Sequence, residues 1–275
     1  WLSSLYNAST IAGILCASAG VALLCYFQGI ENGWRFLYAL GSITALFGCW
    51  IRRQASSDDA PVERTSLRTL VPMFWQYRKA LGFVAITAGF GYANYSMALV
   101  LMNGFVPLVT SLTKAQMTGL NTGLLVLDFC TLPLFGWLAS QISREKIMLG
   151  AALGVLLSAI PLFLFLEGAA LFSVIAVRIC LVLLGVAFFA PFHAWAQQLI
   201  PHNHRYLILS FGYAIGSQLL GGPTAAVSLW LYQKTGMVSS VCWYWMALAL
   251  ATALTLAKTS RVKNSLKVFR WRQTT

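Results

Sequence analysis

The chain has 275 residues, of which 59% are apolar and only 9% are Asp, Glu, Lys or Arg, and its mean hydropathy is +0.73. Soluble domains carry about 25% charged residues, so this composition excludes a soluble enzyme, a disordered chain and a nucleic-acid-binding domain. It predicts a polytopic membrane protein whose partner is the lipid bilayer, and the net charge of +12 indicates basic cytoplasmic loops rather than a nucleic-acid surface.

Charged residues divide the chain into apolar stretches of about 20 residues, the length that a membrane-spanning helix needs. The fold class predicted is all-α, a polytopic membrane helical bundle of eight transmembrane helices. In chain order the predicted spans are residues 2–30, 36–51, 80–113, 116–140, 147–166, 170–197, 207–233 and 238–257. Within the seventh span, Gly221, Gly222 and Pro223 are expected to interrupt the helix and to form a gate or a cavity wall. Residues 64–79 mix apolar and basic side chains, which predicts an interfacial helix.

The basic residues give an orientation for these spans. With the C-terminal tail in the cytoplasm, 15 of the 19 Lys and Arg residues fall on the cytoplasmic side, and only Arg35, Lys114 and Lys234 fall outside. Because cytoplasmic loops are enriched in Lys and Arg, this partition supports both the number of spans and the orientation. Both ends of the chain are therefore predicted to be cytoplasmic.

An internal repeat predicts the domain organisation. Residues 20–53 and 221–261 share a pattern of Gly, Gln and Trp followed by a helix that ends in basic residues, at an offset of about 200 residues, as in transporters built from two related halves. The predicted domains are the last two helices of an N-terminal half (1–53), a cytoplasmic linker with an interfacial amphipathic segment (54–79), a six-helix C-terminal half (80–257) and a basic cytoplasmic tail (258–275). Because the chain begins at Trp1 and its first Met is Met73, we expect an N-terminal part to precede it.

Four stretches give the chain a family resemblance. They are Ile11-Ala12-Gly13, the segment from Gly33-Trp34-Arg35 to Ile51-Arg52-Arg53, Pro133 with residues 136–146, and Ile200-Pro201, Arg205-Tyr206 and Gly221-Gly222-Pro223-Thr224. In this order and spacing the chain resembles the metabolite–proton symporters of the major facilitator superfamily, the branch that includes the proline/betaine and 2-oxoglutarate permeases. The resemblance covers helices five to twelve of twelve, so it implies a major facilitator fold lacking its first four helices.

The resemblance also implies a function. It predicts a secondary active transporter of the bacterial inner membrane that moves a small polar metabolite together with protons by alternating access. The metabolite would be an osmolyte such as proline or betaine, or a mono- or dicarboxylate. The expected partners are this small-molecule substrate, protons, the lipid bilayer and the missing N-terminal helices of the same transporter, with no nucleic acid and no cofactor.

The loop between the family's helices eight and nine pairs charges between helices and acts as a gating loop, with Gly136, Ser140 and Arg144 at its main positions here. Gly136 and Arg144 match the family pattern. Ser140 stands where the family usually has an acidic residue and Gln141 where it has a basic one, so the gating contact is expected to be weaker. This departure favours the alternative of a non-transporting membrane sensor or assembly protein derived from a transporter.

Two charged residues lie inside predicted spans, and such residues usually mark a functional site or find a partner. Asp128 is a candidate for proton coupling, with a structural carboxyl group as the alternative. Arg178 is a candidate anchor for a substrate carboxylate, with a snorkelling side chain or a partner of Asp128 as alternatives. Counted from the outer surface at 1.5 Å per residue, Arg178 lies about 12 Å deep and Asp128 about 18 Å deep. Long side chains could close that gap, so we expect a buried pair that borders the cavity.

Uncharged polar residues in the spans complete the candidate site. The substrate-binding candidates besides Arg178 are Tyr92, Asn94, Tyr95, Asn121 and Gln218, with interhelical hydrogen bonding as the alternative. His193 is a second proton-coupling candidate, although a lone His is more often a packed core residue.

The sequence predicts neither an enzyme nor a metal site. It contains no HExxH, GxSxG or paired intramembrane carboxylates, and its six cysteines lack CxxC spacing. Two glycine pairs with a spacing of four, Gly212 with Gly216 and Gly150 with Gly154, indicate close helix packing instead.

Overall fold

A computed structural model describes residues 2–26, 30–54, 67–201 and 204–273, and all regular structure in these ranges is helical. The α-helices are α1 (Leu2–Tyr26), α2 (Ile30–Gln54), α3 (Leu67–Gln76), α4 (Arg78–Tyr95), α5 (Met102–Val109), α6 (Lys114–Gln141), α7 (Arg144–Leu164), α8 (Leu171–Ala196), α9 (Arg205–Ile215), α10 (Thr224–Thr235) and α11 (Trp243–Gln273). Two π-helical segments, Ser96–Leu101 and Gly216–Gly221, follow α4 and α9. The short 3₁₀ helices are Gln197–Leu199 and Val238–Cys242.

Within the described residues every predicted span overlaps these helices, which confirms the polytopic helical bundle; residues 27–29 of the first predicted span lie outside the described ranges. Five stretches of the described ranges are long and apolar enough to cross a membrane: Arg78–Val109, Gln116–Gln141, Arg144–Leu164, Leu171–Leu199 and Val238–Ser260. The other three predicted spans coincide with α1, α2 and the segment from α9 to α10.

The chain divides into two compact units, one of Thr10–Gln76 and one of Trp1–Ser9 with Tyr77–Thr275. In the smaller unit α2 carries exposed apolar side chains, among them Leu46 and Trp50, as suits a helix surrounded by lipid. The predicted domain boundaries stay predictions. Residues 55–66 of the predicted linker and residues 274–275 of the predicted tail lie outside the described residues. The rest of the linker includes α3 and the start of α4, and α11 continues into the tail as far as Gln273.

In the larger unit α4 is the central helix. It packs against α8, α9, α11 and the π segment Gly216–Gly221, while α6 and α7 pack against α8 and α7 also packs against α11. The close approach of α4 to the π segment depends on glycine. A Cβ atom at Gly221 would lie 2.7 Å from the backbone oxygen of Gly89, and one at Gly216 would overlap the backbone carbonyl of Ala85. Backbone therefore packs directly on backbone at this contact.

The predicted interruption at Gly221, Gly222 and Pro223 is confirmed. The helix changes to π geometry at Gly216, and α10 starts only at Thr224. Side chains satisfy carbonyl groups at this break, because Thr224 donates its hydroxyl to Gly221 O at 2.7 Å and Tyr244 donates its hydroxyl to Leu220 O at 2.6 Å.

Candidate functional site

Asp128 lies on the buried face of α6. Leu124, Leu125 and Leu132 occupy the positions one turn before and after it and are also buried, since residues three and four apart share a helix face. The side chain of Asp128 is fully buried, and its Oδ1 accepts a hydrogen bond of 3.2 Å from the Tyr95 hydroxyl of α4. Its Oδ2 is buried and has no hydrogen-bond partner among the described residues. The carboxyl group can therefore change its protonation state without breaking an ion pair.

Aromatic rings extend from Tyr95 toward His193. The ring of Tyr95 packs edge to face on Phe189 with centroids 5.4 Å apart, and Phe189 packs on His193 at 5.6 Å. Tyr6 and Tyr213 complete the surroundings of His193, with centroids at 5.5 and 5.6 Å from its ring. This places the two proton-coupling candidates in one cluster to which α1, α4, α6, α8 and α9 contribute.

Arg178 is the centre of a separate polar cluster. Its guanidinium group is fully buried and donates to the side-chain oxygens of Asn121 at 2.6 Å and Asn103 at 3.1 Å. It also donates to the backbone oxygens of Ala98 at 3.1 Å and Met117 at 3.2 Å. Arg178 on α8 is thereby joined to α6, to the π segment Ser96–Leu101 and to α5 by four oxygen acceptors.

The predicted pair of Asp128 and Arg178 was wrong. The described residues supply Arg178 with uncharged acceptors and Asp128 with a tyrosine hydroxyl, and no ion pair joins the two. Depth along the helix axis suggested the pair, but neighbouring helices offered amide and backbone oxygens nearer to the guanidinium group. Because both terminal nitrogens of Arg178 already donate to the protein, it does not present a hydrogen-bonding fork to a substrate carboxylate in this conformation.

The other substrate-binding candidates divide by exposure. Asn94 is buried, and its Oδ1 accepts a hydrogen bond of 2.6 Å from Trp245 Nε1 of α11, so it joins α4 to α11. Asn121 is committed to Arg178. Tyr92 is 40% exposed, and Gln218 lies exposed in the second π segment. Tyr92 and Gln218 therefore remain the residues able to meet a ligand directly.

The predicted gating loop joins α6 to α7. Ser140 donates its hydroxyl to Trp137 O of its own helix at 2.6 Å, and Ser143 caps α7 by accepting from Lys146 N. Ser140 and Arg144 lie on an open cavity of about 640 Å³ that the 3₁₀ helix Gln197–Leu199 and α11 also line. Gly136 lies on α6 beside Ser4, whose side chain occupies the space that a Cβ atom would need.

Sequence reasoning missed several residues of both clusters. Among them, Asn103 could have been identified from the sequence, because it is a polar amide residue inside an apolar stretch. Phe189 and Tyr213 belong to strongly apolar helices, where composition does not distinguish one aromatic position from another. Trp245 carries an indole N–H, and a buried Trp usually finds an acceptor, but the acceptor could not be identified without the fold.

Comparison with known proteins identifies transporters as relatives. The chain is 26% identical over 266 residues to a Staphylococcus aureus protein named "Putative proline/betaine transporter", an alignment that covers 90% of this chain and 56% of the relative. It is 24% identical over 231 residues to the "Alpha-ketoglutarate permease" of Escherichia coli, covering 82% of this chain and 52% of the relative. It is 26% identical over 245 residues to the "Citrate-proton symporter" of Salmonella typhi, covering 84% and 55%. No family model and no solved structure matches the chain.

These relatives confirm the resemblance to metabolite transporters of the major facilitator superfamily. They are named as transporters, a permease and a symporter, which agrees with the prediction that the chain is not an enzyme. The chain spans about half the length of the curated relatives it matches. Together with the apolar helices, the match identifies a multi-pass membrane protein.

Proposed function

We propose that this chain forms part of a secondary active transporter that moves a small polar metabolite together with protons by alternating access. The observation that supports this most is the similarity to three differently named transporters over 82–90% of the chain. Their names divide the substrate into two classes, an osmolyte such as proline or betaine and a carboxylate. Substrate sites of such transporters lie near the bilayer midplane, between two helical halves.

Asp128 is the proposed carrier of the coupled proton. It is a fully buried carboxyl group inside a span; one oxygen accepts from Tyr95 and the other has no partner within the described part of the chain. Gain or loss of its proton would change the charge inside the bundle by one unit, which is a large electrostatic event in a medium of low dielectric constant. His193 is the second carrier, since it lies in the same aromatic cluster.

Tyr92 and Gln218 are the proposed substrate contacts, because their side chains are exposed at the contact between α4 and the second π segment. Arg178 would serve by holding the bundle together rather than by binding a carboxylate. The proposed location is the bacterial inner membrane, with both ends of this chain in the cytoplasm, as the distribution of Lys and Arg favours.

The test is uptake into proteoliposomes by the complete protein, including any residues that precede Trp1 in its reading frame. A pH-sensitive dye inside the vesicles reports proton entry while radiolabelled betaine, proline, 2-oxoglutarate or citrate is added outside. We expect substrate-dependent proton entry that Asp128→Asn abolishes. The matched control is Glu167→Gln, in the turn after α7, which should retain proton entry. Substrate uptake without proton movement would contradict proton coupling, and no uptake of any of these compounds would favour the non-transporting alternative.

A further inference from the structure

The π segment Ser96–Leu101 leaves one carbonyl without its helical partner. The amide N–H of Met102 bonds to Met97 O, five residues back, whereas in an α-helix it would bond to Ala98 O. The oxygen of Ala98 therefore does not receive the backbone N–H that it would accept in an α-helix. A buried carbonyl in a membrane must find another donor, because no water is available to replace it.

Arg178 supplies that donor. Its Nη2 donates to Ala98 O at 3.1 Å and to the side-chain oxygen of Asn103 at 3.1 Å. Asn103 in turn donates its amide to Leu99 O at 2.8 Å. Two consecutive carbonyl groups of the π segment are thus held by a guanidinium group and by a side chain that the same guanidinium group orients.

Tyr95 immediately precedes this π segment, and its hydroxyl donates to Asp128. If the segment changed to regular α-helix, the chain on one side would rotate by about 100° and shift by about 1.5 Å relative to the other. Either movement would carry the Tyr95 hydroxyl or the backbone at Ala98 away from its present partner. The π geometry and the Tyr95–Asp128 hydrogen bond therefore depend on each other.

We propose that Arg178 is a positioning residue for the carboxyl group of Asp128, and that it acts through the π segment Ser96–Leu101 and Tyr95. The inference rests on the proposed function, in which Asp128 carries the coupled proton. In this proposal Arg178 and Asp128 are not joined by an ion pair but are connected indirectly, through the π segment and Tyr95. π-Helical segments within α-helices often occur at functional sites. This one is bonded to Arg178 through Ala98 O and directly follows Tyr95, the residue that is bonded to Asp128.

Few titratable groups surround Asp128 in the described part of the chain. Tyr95 on α4 contacts it directly. Beyond Tyr95, α8 carries Arg178 and His193, α9 carries Tyr213, which lies near Tyr95 and His193, and α1 carries Tyr6, whose ring packs on His193. Helix α5 contains no titratable residue, and the charged residues of α7 lie in its first turn. Tyr95 is therefore the group through which a distant change would reach the carboxyl.

The experiment measures the reactivity of Asp128 toward a hydrophobic carbodiimide, a reagent that modifies the neutral form of a membrane-embedded carboxyl group. Residues 1–275 in nanodiscs are treated over a range of pH, and the modified peptide is quantified by mass spectrometry. The variants are Tyr95→Phe, Arg178→Gln, the conservative Arg178→Lys, and the double variant of Tyr95→Phe with Arg178→Gln. Since a hydrogen bond to a charged group changes an equilibrium about tenfold or more, we expect about a tenfold faster modification in Tyr95→Phe.

Arg178→Gln is expected to raise the rate and to shift its pH profile in the same direction as Tyr95→Phe, with Arg178→Lys intermediate. The double variant should add little to Tyr95→Phe alone, because both changes act through one hydrogen bond. The matched control is Trp245→Phe, which breaks another interhelical hydrogen bond of α4 at the neighbouring Asn94 and should leave Asp128 unchanged. Maleimide labelling of the buried Cys242 should stay slow in every variant and so excludes general loosening.

Unchanged reactivity of Asp128 in Arg178→Gln, or additive effects in the double variant, would overturn the proposal. If Arg178→Gln does not fold, Asn103→Leu makes the same test, since it removes the group that holds Leu99 O. Carbodiimide labelling requires no transport, so a failure of substrate uptake would count against the proposed function without affecting this result.

Discussion

A single methyl group at Gly216 would test how closely α4 approaches the π segment Gly216–Gly221. The added Cβ would overlap the carbonyl oxygen of Ala85 and lie 2.8 Å from its carbonyl carbon. These are backbone atoms, so no side-chain rotation relieves the overlap, and the two segments must separate. Overpacking of this kind costs about 1–3 kcal/mol.

Replacing a glycine by alanine also has a favourable effect on helix stability. A substitution at a second glycine measures this effect alone. Alanine stabilises a helical position by about 0.5–1 kcal/mol relative to glycine. At Gly150 on α7 no atom lies within 4 Å of an added Cβ, so Gly150→Ala is the matched control and should gain that amount. We therefore expect Gly216→Ala to be less stable than the wild-type chain and Gly150→Ala to be as stable or more stable.

Reversible unfolding in mixed micelles, by titration with a denaturing detergent and followed by circular dichroism, gives the two free energies of unfolding. The expected difference between the two variants is about 1–3 kcal/mol, the overpacking cost alone, because the helical gain is common to both and cancels. Equal free energies for the two alanine variants would refute the backbone contact between α4 and the π segment.

Two further predictions concern α11 and the topology. Trp245→Phe should lower the free energy of unfolding by about 1–3 kcal/mol, because it leaves the buried Asn94 oxygen without a donor. In the same detergent titration the control Trp137→Phe, at a 57% exposed position, should change the free energy of unfolding little. In intact cells, an impermeant maleimide should label Lys234→Cys from outside and should label Lys146→Cys only after permeabilisation, and the reverse pattern would contradict the assigned orientation.

The positions of the helices were predictable because the bilayer fixes the length of an apolar run. The interruption of the seventh span was predictable for a local reason, since Gly221, Gly222 and Pro223 are residues that α-helices tolerate poorly. The π segment Ser96–Leu101 carried no such signal, because Ser-Met-Ala-Leu-Val-Leu is compatible with an ordinary helix. Its cause is tertiary: a guanidinium group on another helix stabilises the carbonyl that the π geometry exposes.

The glycine pairs show the same limit. Both pairs predict close packing from their spacing alone. Gly212 and Gly216 both face α4 within contact distance, whereas in the second pair only Gly154 meets a neighbour, with Leu184 Cδ2 at 2.8 Å from an added Cβ, and Gly150 faces open space. A spacing of four places two residues on one helix face but does not say which neighbour that face meets. Only the packing of α4 between several helices distinguishes the two pairs.

Asp128 and Arg178 show why depth within the membrane was insufficient to predict the site. An opposite charge within about 4–6 Å favours the ionised form of a carboxyl group, so a direct pair with Arg178 would hold Asp128 as an anion. The structure instead gives Arg178 four uncharged oxygen acceptors and Asp128 a single hydroxyl donor. With this division, a change in the protonation of Asp128 neither breaks an ion pair nor leaves the guanidinium group without its own acceptors on α5 and α6. The carboxyl group can then exchange its proton without leaving an unpaired charge, which is the requirement that the proposed proton coupling places on this site.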